Sequence, residues 1–194
     1  TAIGYQSLYS NTTGSYNSAL GYYALQNNTT GQENSGLGRY SLNINTTGSY
    51  NVAVGGSALQ SNTTAGYNTA IGWASLRYNT TGANNTATGY QALNANTTGI
   101  HNNSVGYNSL IANTTGSNNT AVGSYTLDAN TTGSNSVAIG YSSGTSSTTA
   151  LNNVSVGAYA GQNITTGGEN VCMGTYAFDA NTTGYNNTAI GHYS

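Results

Sequence analysis

A glycine returns every 17 residues along this chain, and this spacing constrains the fold more than any other feature. The series has no insertion or deletion and runs through Gly4, Gly21, Gly38, Gly55, Gly72, Gly89, Gly106, Gly123, Gly140, Gly157, Gly174 and Gly191. We number the positions of each repeat from Thr1, so that these glycines occupy position 4, and we call all residues at one position a column. Thr-Thr fills columns 12 and 13 in all eleven repeats. A fixed short period of this kind predicts a solenoid built from one repeated unit.

The repeat is too short and has the wrong composition for helices. Seventeen residues do not accommodate a helix-turn-helix unit, and Gly and paired Thr each weaken a helix. Thr69-Ala70-Ile71-Gly72 instead alternates between larger and smaller residues, and a period of two predicts a strand. We therefore expect an all-β fold, a parallel β-solenoid or β-roll of about eleven coils and roughly 50–55 Å in length. Residues 1–194 are expected to form one continuous array within a longer fibre.

The near-absence of charge fits a stack in which each side chain lies on its equivalent in the next coil. Only 3% of the residues are charged, and like charges on neighbouring strands repel one another. The few charged residues fall in columns 5, 9 and 16, which we expect to face outward. Asn residues stabilise such a column, because stacked amides can donate and accept hydrogen bonds along it. Columns 11 and 17 are rich in Asn and are predicted to form two such ladders.

The aliphatic columns indicate where the core should lie. Column 3 is Ile, Leu, Val or Met apart from Thr88, and column 8 is Leu from Leu8 to Leu127, so the two are predicted to fill the interior. Columns 2 and 4 would then form a flat outer face of small residues, on which another sheet could pack in an assembly with cyclic symmetry. The Gly column either turns a corner with positive φ or permits this close approach. Where column 8 becomes Gly161, we expect the ring of Phe178 in the next coil to cover part of the space.

Asn-Thr-Thr is also an acceptor sequon for N-linked glycans. The predicted glycosylation sites are Asn11, Asn28, Asn45, Asn62, Asn79, Asn96, Asn113, Asn130, Asn163 and Asn181. The competing interpretation is structural: Asn begins a turn, the Thr hydroxyls bond the backbone and Gly closes it. O-linked glycans on the Thr pairs are a further expectation, and glycan would keep a nearly uncharged rod from aggregating laterally.

Two other surface features have alternative interpretations. The chain has 17 Tyr, concentrated in columns 5, 6 and 16, which could stack on sugar rings or could stack on one another and stabilise the coils. The Thr columns suggest ice binding, but adjacent residues of an extended chain point to opposite faces, so only one outward row is expected.

Several functions are disfavoured by composition. His101 and His192 lie more than five coils apart, Asp128 and Asp179 three coils apart, and no metal-ligand spacing or nucleophile motif is present, so we expect no enzyme, metal or cofactor. With two Arg, no Lys and a net charge of −2, nucleic acid is an unexpected partner. No apolar run approaches the length of a membrane span, so membrane insertion is not expected.

The repeat resembles a known family. Asn68-Thr-Ala-Ile-Gly72 and Asn187-Thr-Ala-Ile-Gly191 are similar to the head repeats of trimeric autotransporter adhesins, the YadA-like heads. Similar arrays look like those of phage tail fibres and of large surface proteins of aquatic microbes. The resemblance implies a parallel β-roll with three chains side by side, and it covers the whole chain.

These observations together predict a structural component of an extracellular fibre, at a cell surface or secreted, with glycans displayed on the Asn-Thr-Thr row. Self-association is expected head to tail, as a homotrimer, or both. The alternative is an adhesin head or shaft, or a virion tail fibre, that binds surface polysaccharide. An ice-binding protein is the third interpretation.

Overall fold

The computed structural model describes residues 1–194 and is an all-β parallel solenoid. Twelve short strands, one in each coil, form a single parallel sheet in sequential order. The strands are β1 Ala2–Ile3, β2 Ser18–Leu20, β3 Ser35–Leu37, β4 Val52–Val54, β5 Thr69–Ile71, β6 Thr86–Thr88, β7 Asn103–Val105, β8 Thr120–Val122, β9 Val137–Ile139, β10 Val154–Val156, β11 Val171–Met173 and β12 Thr188–Ile190.

Every strand pair has the register that the period predicts. In β5 and β6, Thr69 faces Thr86, Ala70 faces Ala87 and Ile71 faces Thr88, each pair 17 residues apart. The Gly column stacks in the same way, since a Cβ built on Gly55 would lie 2.6 Å from the carbonyl oxygen of Gly72. Like-on-like stacking of successive coils is therefore confirmed.

The sheet is only one side of the rod, and the rest of each coil is bonded to its neighbours as well. Of 127 backbone hydrogen bonds, 106 lie outside the strand ladders. Leu76 N–H, for example, donates to the Ala92 carbonyl at 3.0 Å, and Thr80 N–H donates to the Thr97 carbonyl at 3.0 Å. Because these bonds run between coils, the turns contribute to axial cohesion as the strands do.

The interior contains column 8, as predicted, but not column 3. Leu25 to Leu110 are fully buried along column 8, and Leu127 is 3% exposed. Column 3 instead lies on the surface, with Ile71 42% and Leu20 49% exposed. Column 2 is the inward one, since Ala53, Ala70 and their equivalents are buried. The predicted inner and outer faces of the strand were therefore reversed.

The Leu column explains why the small face of the strand turns inward. A Cβ built on Gly36 in column 2 would lie 3.4 Å from both Cδ1 and Cγ of Leu25, and 3.1 Å from Oγ of Ser41. Column 2 thus packs directly against the Leu side chains, which leave room for Ala, Ser or Cys. A β-branched aliphatic side chain at this position would overpack the core.

The coil at 154–170 replaces the usual Leu and Asn with Gly161 and Ile164, and these two changes compensate each other. The Cδ1 atom of Ile164 would lie 3.1 Å from a Cβ on Gly161, so Ile164 occupies the space that Leu fills elsewhere. A cavity of about 10 Å³ remains beside Leu127. Phe178 packs against the same cluster from the next coil. The sequence did not indicate this role for Ile164, which comes from column 11 of the same coil and lies nearer to Gly161.

The Gly column has positive φ, and the backbone that lies close to it belongs to the next coil of the same chain, not to a second sheet. Gly72 has a φ of +130°, and a Cβ on it would lie within 2.4 Å of the Gly89 carbonyl oxygen. No side chain fits there, and φ is in the region that L residues rarely adopt.

Other positions adopt the left-handed region without glycine, which the sequence did not indicate. Columns 6, 8 and 16 have positive φ throughout, as at Ala74 (55°), Leu76 (48°) and Asn84 (59°). Bonds between coils and burial of the Leu side chains offset the strain of these conformations.

We expect Gly72→Ala to lower the free energy of unfolding by about 3 kcal/mol or more, because the new Cβ meets backbone and φ is unfavourable. Gly56→Ala is the control, since its Cβ would meet only the Trp73 ring, at 3.2 Å. Urea denaturation followed by circular dichroism measures both. Equal, small losses would contradict the close backbone approach.

A second pair of variants tests which column is interior. Leu76→Ala should cost about 2–5 kcal/mol of unfolding free energy, because it leaves a cavity in the core. Ile71→Ala, on the exposed side of the adjacent strand, should cost less than about 1 kcal/mol in the isolated rod. A larger loss of unfolding free energy for Ile71→Ala than for Leu76→Ala would place column 3, rather than column 8, in the core.

Candidate functional site

The first asparagine ladder runs along the interior in column 11. Asn79 Nδ2 donates to Asn62 Oδ1 at 3.0 Å and to the Gly82 carbonyl at 2.8 Å. Its own Oδ1 accepts from Asn96 Nδ2 at 2.7 Å. The same pattern joins Asn11 to Asn130, so both amide hydrogens of each inner member are used within the chain.

The second ladder, in column 17, bonds side chain to backbone. Asn68 N–H donates to Asn51 Oδ1 at 3.0 Å, and Asn68 Nδ2 donates to the Gly82 carbonyl at 3.0 Å. That carbonyl therefore accepts from Asn79 in its own coil and from Asn68 in the preceding one. The two ladders form one buried polar network in which every member is paired, and both predicted ladders are confirmed.

This network places most of the candidate glycosylation sites inside the rod. The asparagines of column 11 that are buried are Asn28, Asn45, Asn62, Asn79, Asn96, Asn113 and Asn130. An N-linked glycan replaces one hydrogen of Nδ2 and needs an open path to solvent, and neither exists here. N-linked attachment at these seven residues is incompatible with the folded rod, and the turn interpretation of Asn-Thr-Thr-Gly describes their geometry.

The remaining sequons lie where the ladder is interrupted or ends. Asn11 and Asn181 are half-buried, and Asn163 is exposed with Nδ2 donating to the Asp179 carbonyl. Between Asn130 and Asn181 the ladder positions hold Ser147 and Ile164, so the amide ladder is broken for two coils.

The paired threonines have different environments. In column 12, Thr80 Oγ1 donates to the Thr97 carbonyl at 3.0 Å, and this bond recurs from coil to coil. The N–H groups of Thr80, Thr81 and Gly82 converge on the same carbonyl at 3.0–3.3 Å. Column 13, which we call the threonine row, is exposed in every coil. The expectation of one outward threonine row is confirmed.

Column 3 and the neighbouring aromatic side chains form a long apolar strip on the outer surface. Column 3 supplies its aliphatic edge, and columns 5 and 6 supply rings that stack from coil to coil. The longest ring series is continuous from Trp73 through Tyr90 and onward to Tyr193, with centroids 4.7–6.0 Å apart. Trp73 also covers Gly56, where the column has no side chain.

The ring geometry bears on sugar recognition. Tyr159 and Tyr176 lie 5° from parallel at 4.7 Å, and Tyr176 and Tyr193 lie 2° from parallel at 4.9 Å. In such parallel pairs one face of each ring lies against its neighbour, whereas the three pairs from Tyr107 to Tyr159 meet edge to face. The structural interpretation of these tyrosines, as a ladder that stabilises the coils, describes this arrangement.

The titratable side chains are dispersed along the rod, and no three of His, Cys, Asp and Glu come together. Asp128 accepts a hydrogen bond from Thr145 in the next coil. Cys172 is buried in column 2, and burial raises the pKa of its thiol to about 11, which keeps it protonated. The hydrogen bond with Tyr23 raises the pKa of Tyr22 to about 12.

Comparison with protein-family models, with curated proteins and with solved structures gives no match for this chain. The chain also contains no apolar helix of the length needed to cross a bilayer.

The buried amide network can be tested with an isosteric change. Asn79→Asp replaces Nδ2 by a carboxylate oxygen that would face Asn62 Oδ1 and the Gly82 carbonyl, where the amide NH₂ group now donates to both. We expect a loss of about 3–5 kcal/mol of unfolding free energy at pH 7, because a buried charge would lack partners.

Asn84→Asp is the matched control, since Asn84 is exposed and Asp tolerates its positive φ. It should change the unfolding free energy by less than about 0.5 kcal/mol. Urea titrations at pH 7 compare the two variants, and a stable Asn79→Asp rod would rule out a tight ladder.

Proposed function

We propose that this chain is a structural component of an extracellular fibre, and that its function is mechanical. The observation that carries the proposal is the continuity of bonding along the axis. Backbone bonds join each coil to the next in the same register from end to end, and the amide ladders and the ring series add contacts over most of the rod. The resemblance of the repeats to adhesin heads and surface fibres supports an extracellular location.

A rod of this kind resists extension because its bonds act in parallel. Separating two coils would break a full turn of backbone hydrogen bonds and, where both ladders are intact, at least two amide contacts at once. Such a rod also needs no catalytic group, and its His, Asp and Glu side chains are scattered. The proposal therefore assigns no reaction and no cofactor to the chain.

Self-association would occur along the apolar strip and at the ends of the rod. The strip is about 50 Å long and consists of one aliphatic column and the adjacent rings of columns 5 and 6, on the order of 500 Å², which is comparable with the patches that mark interaction sites. Its aliphatic edge is uncharged, so further copies could pack laterally against it, in a homotrimer for example. Unpaired backbone groups at each end favour head-to-tail stacking.

The alternative functions receive less support from the surface. A polysaccharide-binding adhesin or virion fibre would need open ring faces, and in four of the seven pairs of the longest ring series a ring face lies against the next ring. Ice binding on a solenoid would need a flat array, and column 15, two residues beyond the threonine row, is irregular in composition.

Electron microscopy and fibre diffraction of the purified chain test the fibre. We expect long filaments with an axial spacing of about 4.8 Å, because that is the distance between strands. Ile71→Asp combined with Ile139→Asp should reduce lateral association in sedimentation experiments, since both side chains lie on the strip.

Asn84→Asp and Asn118→Asp together form the control, because they add the same charge to exposed positions in column 16. This variant should associate as the wild type does. Monomeric wild-type rods at all concentrations would overturn the proposed fibre.

A further inference from the structure

The threonine row is the one invariant column whose composition its own contacts do not explain. Three columns never vary: Gly in column 4, Thr in column 12 and Thr in column 13. Column 4 has no room for a Cβ, and the column 12 hydroxyl bonds the next coil. Neither explanation applies to column 13, so the invariance of its threonine needs another cause.

The hydroxyls of the threonine row are exposed and unbonded. All eleven residues are exposed, and none of their Oγ1 atoms makes a hydrogen bond within the chain. Only backbone carbonyls of this row accept from side chains, at Thr47, Thr115 and Thr166. Eleven free hydroxyls thus lie in one line, about 4.8 Å apart.

Exposure alone does not require threonine here. Column 1 ranges from half-buried to exposed, and it accepts Thr, Ser, Val and Asn. Column 15, on the same turn, accepts Ser, Gln, Gly, Ala, Ile, Leu and Tyr. A β-branched shape alone would admit Val or Ile at column 13, so the hydroxyl is the group that is retained.

The N-linked sequon does not account for the row either. Column 13 supplies the hydroxyl residue of Asn-x-Thr, but two coils lack Asn in column 11 and still keep the threonine. Thr149 follows Ser147 by two residues, and Thr166 follows Ile164 by two. The threonine therefore persists where no sequon depends on it.

We propose that the hydroxyls of the threonine row are acceptors for O-linked sugar. A glycosyltransferase would join each Thr Oγ1 to the anomeric carbon of an activated sugar phosphate. The Oγ1–carbon bond forms as the carbon–oxygen bond to phosphate breaks, the phosphate leaves with the electron pair, and the hydroxyl proton passes to a base of the transferase.

The surroundings of the row suit such a modification. Each threonine of the row is exposed and lies on a turn whose backbone is already bonded, and its Oγ1 makes no hydrogen bond, so attachment breaks no hydrogen bond of the rod. Sugars at strand spacing would lie against one another and cover one side of the rod. That sheath would supply the solvation that a chain with only 3% charged residues lacks.

Mass spectrometry of the native protein, with fragmentation that preserves glycans, tests the proposal. We expect glycan on peptides of the row, assigned to column 13 and including Thr149 and Thr166. Alkaline β-elimination should release it, and an amidase specific for N-linked glycans should not. Bare threonines in the native protein would overturn the proposal, and thermal hysteresis of that bare protein would identify ordered water as the ligand instead.

Two neighbouring threonines provide matched variants, made in the organism that produces the protein. Thr81→Val removes a hydroxyl of the row and should lose the glycan of that coil, with the thermal midpoint unchanged. Thr80→Val should keep that glycan but lower the midpoint by about 2–4 °C, because its hydroxyl bonds the Thr97 carbonyl. Glycan that survives Thr81→Val and disappears in Thr80→Val would place the acceptor in column 12 and overturn the assignment.

The inference rests on the proposed extracellular fibre in one respect: the chain must be accessible to a glycosyltransferase. Filaments with bare threonines would overturn the modification alone. Glycosylated rods that remain monomeric would overturn the fibre alone.

Discussion

Neutral groups that bond to copies of themselves hold each coil on the next, and the rest of the structure depends on this constraint. A buried residue here is apolar, as Leu76 is, bonds along the axis as both donor and acceptor, as Asn79 does, or donates within its own coil, as Ser75 does. A charged column would repel itself at every step. The same requirement explains the scarcity of charge and the excess of Asn, and it makes the rod extendable without a change of chemistry.

The axial bonding also accounts for conformations that would be strained in isolation. Leu76 and Ala74 both have positive φ, which is unusual for residues with a Cβ. Each is bonded to a neighbouring coil through its N–H, and Leu76 is fully buried. A single repeat could not maintain this backbone, because the compensating contacts lie in the coils above and below. Stability in such a rod is a property of the stack.

The proposed functions follow from the division between inner and outer columns. The two ladders and the Leu column lie in the interior. The column 11 amides are buried there and bonded to one another, so they are not available to groups outside the rod. What remains outside is an apolar strip suited to further copies and a row of free hydroxyls suited to sugar. Thr80 and Thr81 illustrate the division, since adjacent residues of the same type serve the rod and its surface respectively.

Periodicity alone determined the solenoid, its register, the amide ladders and the Leu interior, because each follows from placing equal residues on one another. It also identified two faces of the strand at Thr69–Ile71, but it did not determine which face is inward. That choice belongs to the closed coil, in which the Leu side chains leave space only for Ala70 and its equivalents and force Ile71 outward. The tertiary structure also decided that Asn79 is buried and Thr81 exposed. The turn directs these two side chains to opposite sides of the coil, one to the interior and one to solvent.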